Sequence, residues 1–332
     1  MRTSATPYEA QPEFALNVCD LPCTPRTHAA FEQAALFALS QSGAAGVERV
    51  CVGSYFCDRL FLSLGDDVFE ALASFCSTWS MRATLVVPIF PQRTWAQGAR
   101  RVAELLEDDA LPFDEVTVND YATAERLAPL CRARGLAMNW GRLFAKALRD
   151  PRHADFAAEP RTCEIDAEAV ADLRERYPLG LVELDPFAPA IDCSPLEGAP
   201  FALHLPHCFA TTGHICEAAS TARPASESFR ADAACGRECT RSFTLSLDDP
   251  SGSWFVKHGR TAYFENPGCT TTGARPARIL WSAADFRGST GREGDDPAAA
   301  PAATPAAAEP APAATPAAAE PAPAESQVPP WE

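Results

Sequence analysis

The sequence predicts a (β/α)8, TIM-barrel-like fold. Eight short β-rich runs alternate with segments whose apolar residues recur every three or four positions, and 47% apolar composition over 332 residues supplies enough material for a large core. The runs are FALNV (14–18), RVCVGSYF (49–56), ATLVVPIF (83–90), EVTVND (115–120), LAMNW (136–140), TCEID (162–166), GLVELDPF (180–187) and FALHLPHC (201–208). Each is short, rich in Val, Leu, Phe or Ile, and bounded by turn-forming residues, as strands buried on both faces are. Helical periodicity fills the gaps in THAAFEQAALFALSQS, DDVFEALASFCSTWS, WAQGARRVAELLEDD and YATAERLAPLCRARG. A doubly wound sheet is the alternative with the same alternation.

Four segments follow from this reading: a flexible N-terminus at 1–11, the β/α barrel at 12–210, a Cys-rich cap at 211–290 and a disordered tail at 291–332. In the tail the unit PAATPAAAEPA occurs twice, at 301–311 and 312–322, a composition that cannot bury apolar surface. Such a tail reads as a polyproline-like tether, or as a ligand for a proline-binding module. The net charge of −16 argues against a phosphate-gripping surface, so no nucleic-acid partner is expected. Only four of the 44 acidic residues lie in the tail from Pro297 onward, so the acidity belongs to the body as well. No apolar run reaches the roughly 20 residues needed to span a bilayer, and the opening MRTSATPYEAQPEF lacks the apolar core of a signal peptide. A cytoplasmic location, with reduced thiols, is the expectation.

Thirteen cysteines make that location consequential. Cys208, Cys216, Cys235 and Cys239 are spaced C-x7-C-x18-C-x3-C, a clustering that in a chain without a secretory signal points to zinc or an iron–sulfur centre rather than disulfides. In a β/α barrel reactive residues follow the strands at the carboxyl-end face. That rule selects Cys19 and Cys23 after the first strand, Cys57 after the second, Asn119 and Asp120 after the fourth and Asn139 at the end of the fifth. It adds Glu164 and Glu183 in the sixth and seventh, and Cys208 closing the eighth. The two glutamates are candidate catalytic bases, or carboxylates paired with Arg142 or Arg161 for stability. Cys19 and Cys23 could form a redox pair or half a metal site; Cys51, Cys76, Cys131 and Cys163 read as buried hydrophobes and Cys269 as structural.

Three passages resemble the peptidase U-32 family, most closely its subgroup acting in oxygen-independent ubiquinone biosynthesis. VCVGSYFCDRL, with Gly53, Cys57 and Arg59, is similar to the subgroup's strand-two passage; VTVNDYATAERL with GLAMNWGRLFAKAL matches the strand-four and strand-five pattern at Asn139; CEIDAEAVADL resembles a V-E-L-S segment at Glu164. GHIC resembles the family's S-[AG]-R-C turn, and the C-x3-C at Cys235 and Cys239 matches its later pair. The resemblance covers about residues 12–275. It implies a [4Fe-4S] cluster on Cys57, Cys216, Cys235 and Cys239, with Cys208 the other candidate for the fourth ligand. It also implies a heterodimer with a second family member, and hydroxylation of a small aromatic or quinone-type substrate. His214 and Ile215 stand where that turn carries other residues, the Cys216–Cys235 gap is long, and the tail is foreign to the family.

Two other readings accompany this one. His204, His207 and His214 lie among the cysteines, so a mixed Cys/His zinc site would make the chain a non-catalytic interaction module. A collagenase-like peptidase is the third, although the family's proposed proteolytic motif has no clear copy. No Ser-His-Asp order, Walker loop or G-x-G-x-x-G follows a strand in the required context, which leaves acyl transfer, phosphoryl transfer and Rossmann cofactor use with little support.

Overall fold

The computed structural model describes residues 11–21, 24–144, 161–163, 165–185, 190–221, 223–230, 234–240, 244–248, 254–266, 269–284 and 286. Glu164, Cys23, residues 1–10 and the Ala/Pro repeat lie outside the described residues. All described residues belong to one compact unit spanning 1–291.

Eight parallel strands close into a barrel, as the sequence predicts. In chain order they are β1 (Glu13–Asn17), β2 (Arg49–Gly53), β3 (Arg82–Val86), β4 (Phe113–Val118), β5 (Ala137–Trp140), β7 (Leu179–Leu184), β9 (Phe201–Leu205) and β15 (Arg278–Ser282). Each pairs with its neighbour in that order, and β15 returns to β1 in register from Glu13↔Arg278 to Asn17↔Ser282. Between them run the helices α1 (His28–Ser42), α2 (Asp58–Leu62), α3 (Asp66–Trp79), α4 (Gln92–Glu107), α5 (Tyr121–Arg134) and α6 (Ala167–Arg176). Their starts are set by side-chain caps: Thr27, Asp120 and Asp166 accept from the third backbone N–H beyond them. At the end of β2, Gly53 adopts φ +129°, and a Cβ there would meet the Val86 carbonyl oxygen at 2.1 Å, so only glycine fits this strand end.

Two elements differ from the sequence reading. The run at 162–166 is not a barrel strand; Arg161–Thr162 forms β6, which joins β8 (Ala190–Asp192) and β14 (Thr270–Thr272) in a separate three-stranded sheet. The barrel instead closes with β15, so 201–205 is its seventh strand and the Cys-rich segment is an insertion before the eighth rather than a cap following a finished barrel at 210. RILWS (278–282), with Ile, Leu and Trp in its five residues, pairs with both β1 and β9, and that pairing makes it the closing strand. The insertion holds β10 (His207–Thr212), α7 (Glu217–Thr221), β11 (Thr244–Asp248), β12 (Trp254–His258) and β13 (Thr261–Glu265). Its strands form an antiparallel sheet in the order β10-β13-β12-β11.

The barrel interior is unusually polar, and the side-chain period of two along each strand explains where the charges fall. On β4, Glu115 faces inward near the N-terminal end, where Arg278 grips its carboxylate through both terminal nitrogens (2.8 and 2.9 Å) and Asn139 donates at 2.8 Å. Arg49, fully buried, bonds Glu13, Thr84 and Asp114. Burial alone raises the Glu115 pKa, but bonds and charge from Arg278, with help from Arg49 and Asn139, hold it down to about 2. This network ties together β1, β2, β3, β4, β5 and β15.

Candidate functional site

A cavity of about 710 Å3 opens where the chain leaves β1 and β2, the carboxyl-end face on which such barrels build their sites. Cys57, Cys216, Cys235 and Cys239 all line it. The first lies 159 positions before the second in sequence, so the barrel and its insertion bring together the set that the family resemblance implied.

Each thiol is positioned by local bonds. Cys57 caps α2: its Sγ accepts from the Leu60 N–H at 3.4 Å, and its own N–H donates to Ser54 Oγ at 2.8 Å. Cys216 immediately precedes α7, which is docked on the β12–β13 hairpin by an ion pair from Lys257 to Glu217 and by the Glu217 N–H donating to the Gly259 carbonyl at 3.3 Å. Arg223 holds the Ala234 carbonyl at 2.6 Å beside Cys235, and a 3-10 turn at Glu238–Thr240 carries Cys239. Gly259, at φ +60°, lies beside this turn, where a Cβ would make an ordinary contact with Cys239 Cβ at 3.8 Å and Sγ at 4.0 Å.

The thiols influence one another. Burial pushes the Cys239 thiol up to about 12, and the neighbouring Cys216, Cys57 and Cys235 add to the effect. Cys216 is raised by burial, with Cys235 contributing. Burial pushes Cys57 up to about 11, moderated by the Arg260 charge and the Leu60 N–H. Without a cation Cys57, Cys216 and Cys239 therefore hold their protons, and a soft metal would have to displace them on binding. No three His, Cys, Asp or Glu side chains among the described residues stand in the arrangement of a formed metal site, so the four thiols share a cavity wall rather than a finished coordination shell.

Other predicted residues fall elsewhere. Cys208 is fully buried on β10, opposite Phe264, and does not line the cavity. Glu183 points into the barrel, where Thr117 Oγ1 donates to one oxygen at 2.7 Å and His204 Nε2 lies 2.8 Å from the other. Burial lowers the His204 pKa, with the Arg142 charge acting in the same direction, so the ring is neutral and donates from Nε2. With both oxygens occupied and 1% of its surface exposed, Glu183 serves as a core partner. Arg142 pairs not with Glu183 but with Asp185. Of His204, His207 and His214, the last alone lines the cavity, where His258 joins it; His204 is in the barrel, and His207 packs edge-on against Phe286. Asn119 donates to the Val87 carbonyl, Asp120 caps α5, and Asn139 belongs to the lower charge network, all structural roles. Cys19 is buried, its N–H donating to Asn17 Oδ1 at 3.0 Å; it lines a second cavity of about 260 Å3 on the barrel axis. Cys163, Cys193 and Cys269 flank the strands of the small sheet, and none of them lines the cavity.

Sequence reasoning missed Asp20, His258 and Arg260. Asp20 borders both cavities and accepts from Ser54 Oγ and, at 2.8 Å, from the Tyr55 N–H; burial raises its pKa. His258 and Arg260 flank the hairpin turn, and the motif WFVKHGRTAYFE, two apolar runs around a Gly-Arg pair, is a recognisable two-residue hairpin signal. Below the cavity the Arg142 guanidinium, in its bidentate pair with Asp185, lies 5.3–5.5 Å from the rings of Tyr55, Phe56 and Phe209. Phe56 and Tyr263, 5.9 Å apart edge to face, belong to both cavity walls. The arrangement thus offers four convergent thiols over an aromatic floor. No helix among the described residues is long and apolar enough to cross a membrane. Neither a protein-family model nor a curated protein matches this sequence.

Proposed function

We propose that this chain is a divergent relative of the peptidase U-32 family that holds a [4Fe-4S] cluster on Cys57, Cys216, Cys235 and Cys239. In this reading it takes part in oxygen-independent hydroxylation of a small aromatic or quinone-type substrate, in the cytoplasm and together with a second member of the same family. One observation carries the cluster: four thiols from two distant parts of the chain line a single cavity. The donor chemistry fits, because four thiolates are the usual complement of a [4Fe-4S] centre. When bound, the cluster would supply the electron transfer. The chain's own residues would do the rest: the Arg142 platform fixes the aromatic floor, α7 and the hairpin hold Cys216 and Cys239, and the surrounding apolar side chains limit access of water.

Purification without oxygen tests this. A brown protein with about four irons and four acid-labile sulfides per chain, lost in Cys216→Ala, is expected. A colourless wild-type protein with stoichiometric zinc would sink the proposal. Zinc is the second reading because His214 lines the same cavity as the thiols and offers a Cys/His donor set.

A further inference from the structure

The tip of the β12–β13 hairpin carries two buried side-chain nitrogens without a hydrogen-bond partner among the described residues, Arg260 Nε and His258 Nδ1. Both residues line the cavity that holds the four thiols. An unmet buried polar nitrogen costs about 1–3 kcal/mol, so two on one turn mark a surface built to meet a ligand. Arg260 cannot swing away to satisfy itself. Its terminal nitrogen is fixed on Asp58 at 2.6 Å, and Asp58, fully buried, also accepts from Thr94 Oγ1 at 2.9 Å. The turn is equally fixed, since Gly259 packs on Cys239 and the Arg260 carbonyl accepts from the Gly213 N–H at 3.3 Å. Sulfur is, with the Asp20 carboxylate, the acceptor chemistry on this cavity wall: the Arg260 charge bears on Cys57, and Cys216, Cys235 and Cys239 line the same space.

We infer that this hairpin tip is a hydrogen-bond platform for the sulfur atoms of the bound cluster, with Arg260 Nε as one donor and His258, in the tautomer that carries its proton on Nδ1, as the other. The inference rests on the reading that the four thiols hold an iron–sulfur cluster. N–H groups aimed at cluster sulfur stabilise the more negative, reduced state and raise the reduction potential. Arg260 and His258 are therefore positioning and tuning residues rather than ligands.

The test uses the full chain loaded without oxygen, as wild type, Arg260→Lys and His258→Phe. Lysine keeps a cation for Asp58 but has no Nε–H, and phenylalanine keeps a ring against Phe286, now 5.7 Å from His258. Iron and sulfide content and a redox titration followed by electron paramagnetic resonance are measured. Both variants are expected to carry wild-type iron. Poised at the wild-type midpoint, each should show a ratio of reduced to oxidised cluster lower by about threefold to tenfold, tenfold being about 59 mV for one electron. Fully loaded variants with an unchanged midpoint overturn the platform. Where Arg260→Lys costs the fold, His258→Phe decides alone by the same criterion. A wild-type chain without iron fails one step earlier and refutes the cluster itself.

Discussion

Replacing Asp185 by Asn should cost this fold about 3–5 kcal/mol. The carboxylate is completely buried and the Arg142 side chain is only 3% exposed, so neither charge has water to fall back on. Asp185 accepts from Arg142 Nε at 2.9 Å, from Nη2, and from the Phe209 N–H at 3.3 Å, while Nη2 also donates to the His207 carbonyl at 3.1 Å. An amide in its place turns an NH2 group toward the guanidinium and leaves a buried cation without its counter-charge, the situation for which about 3–5 kcal/mol is typical. The three aromatic rings around the guanidinium contribute about 1–2 kcal/mol of cation–π attraction each at most and cannot replace a full charge. At roughly 2–4 °C per kcal/mol for a domain of this size, the melting temperature falls by about 10 °C. Thermal melts by circular dichroism measure this, with Arg142→Met/Asp185→Leu as the companion. That double variant removes both charges and should recover most of the loss. A loss below about 1 kcal/mol in Asp185→Asn, or a double variant as unstable as the single, would refute the view of Arg142 and Asp185 as a desolvated pair supporting the cavity floor.

Cys57→Ala should reduce iron content to well under half of wild type, whereas Cys208→Ala should leave it unchanged and cost about 1 kcal/mol of packing, since Cys208 lies off the cavity wall; equal iron loss in both variants would contradict this assignment. Glu183→Gln should lower stability by about 1–3 kcal/mol through its bonds to Thr117 and His204 without changing metal content, read by denaturant titration and elemental analysis. Acid should destabilise the chain through Glu115. Its folded pKa is depressed to about 2, so its contribution is fully present above about 4.5, the ordinary carboxylate value, and is lost as pH falls from there toward 2. The shift corresponds to about 3 kcal/mol, and Arg278→Met should flatten that part of the stability profile.

The repeating alternation of FALNV, RVCVG, ATLVV and their helices made the first half of the barrel readable, because local periodicity there coincides with burial on both strand faces. The closing strand was not readable. Arg278 begins it for the sake of Glu115 and Glu13, side chains 163 and 265 positions away, and no local pattern announces a partner at that distance. Cys216, Cys235 and Cys239 stand out in one dimension by their spacing, whereas Cys57 joined them only through the family resemblance; all four line one cavity. For Glu183 the strand rule gives its height in the barrel but not the Thr117 and His204 side chains that occupy both its oxygens, so the sequence left a base and a structural carboxylate equally open. Asp20 stayed hidden behind the more obvious Cys19, and the hairpin donors lay in a motif that signals only a turn.

The last strand of the cylinder comes after the thiol-bearing excursion and must dock beside the first, 265 residues upstream. Closure is thus among the most distant contacts the polypeptide makes, and such contacts form late. During synthesis the seam stays open until residue 282 has left the ribosome, by which time every sulfur of the proposed centre has already emerged. Any fragment ending before that seam would carry the thiols on an unsealed sheet, so the sulfur-bearing region has no independent life as a small excisable module.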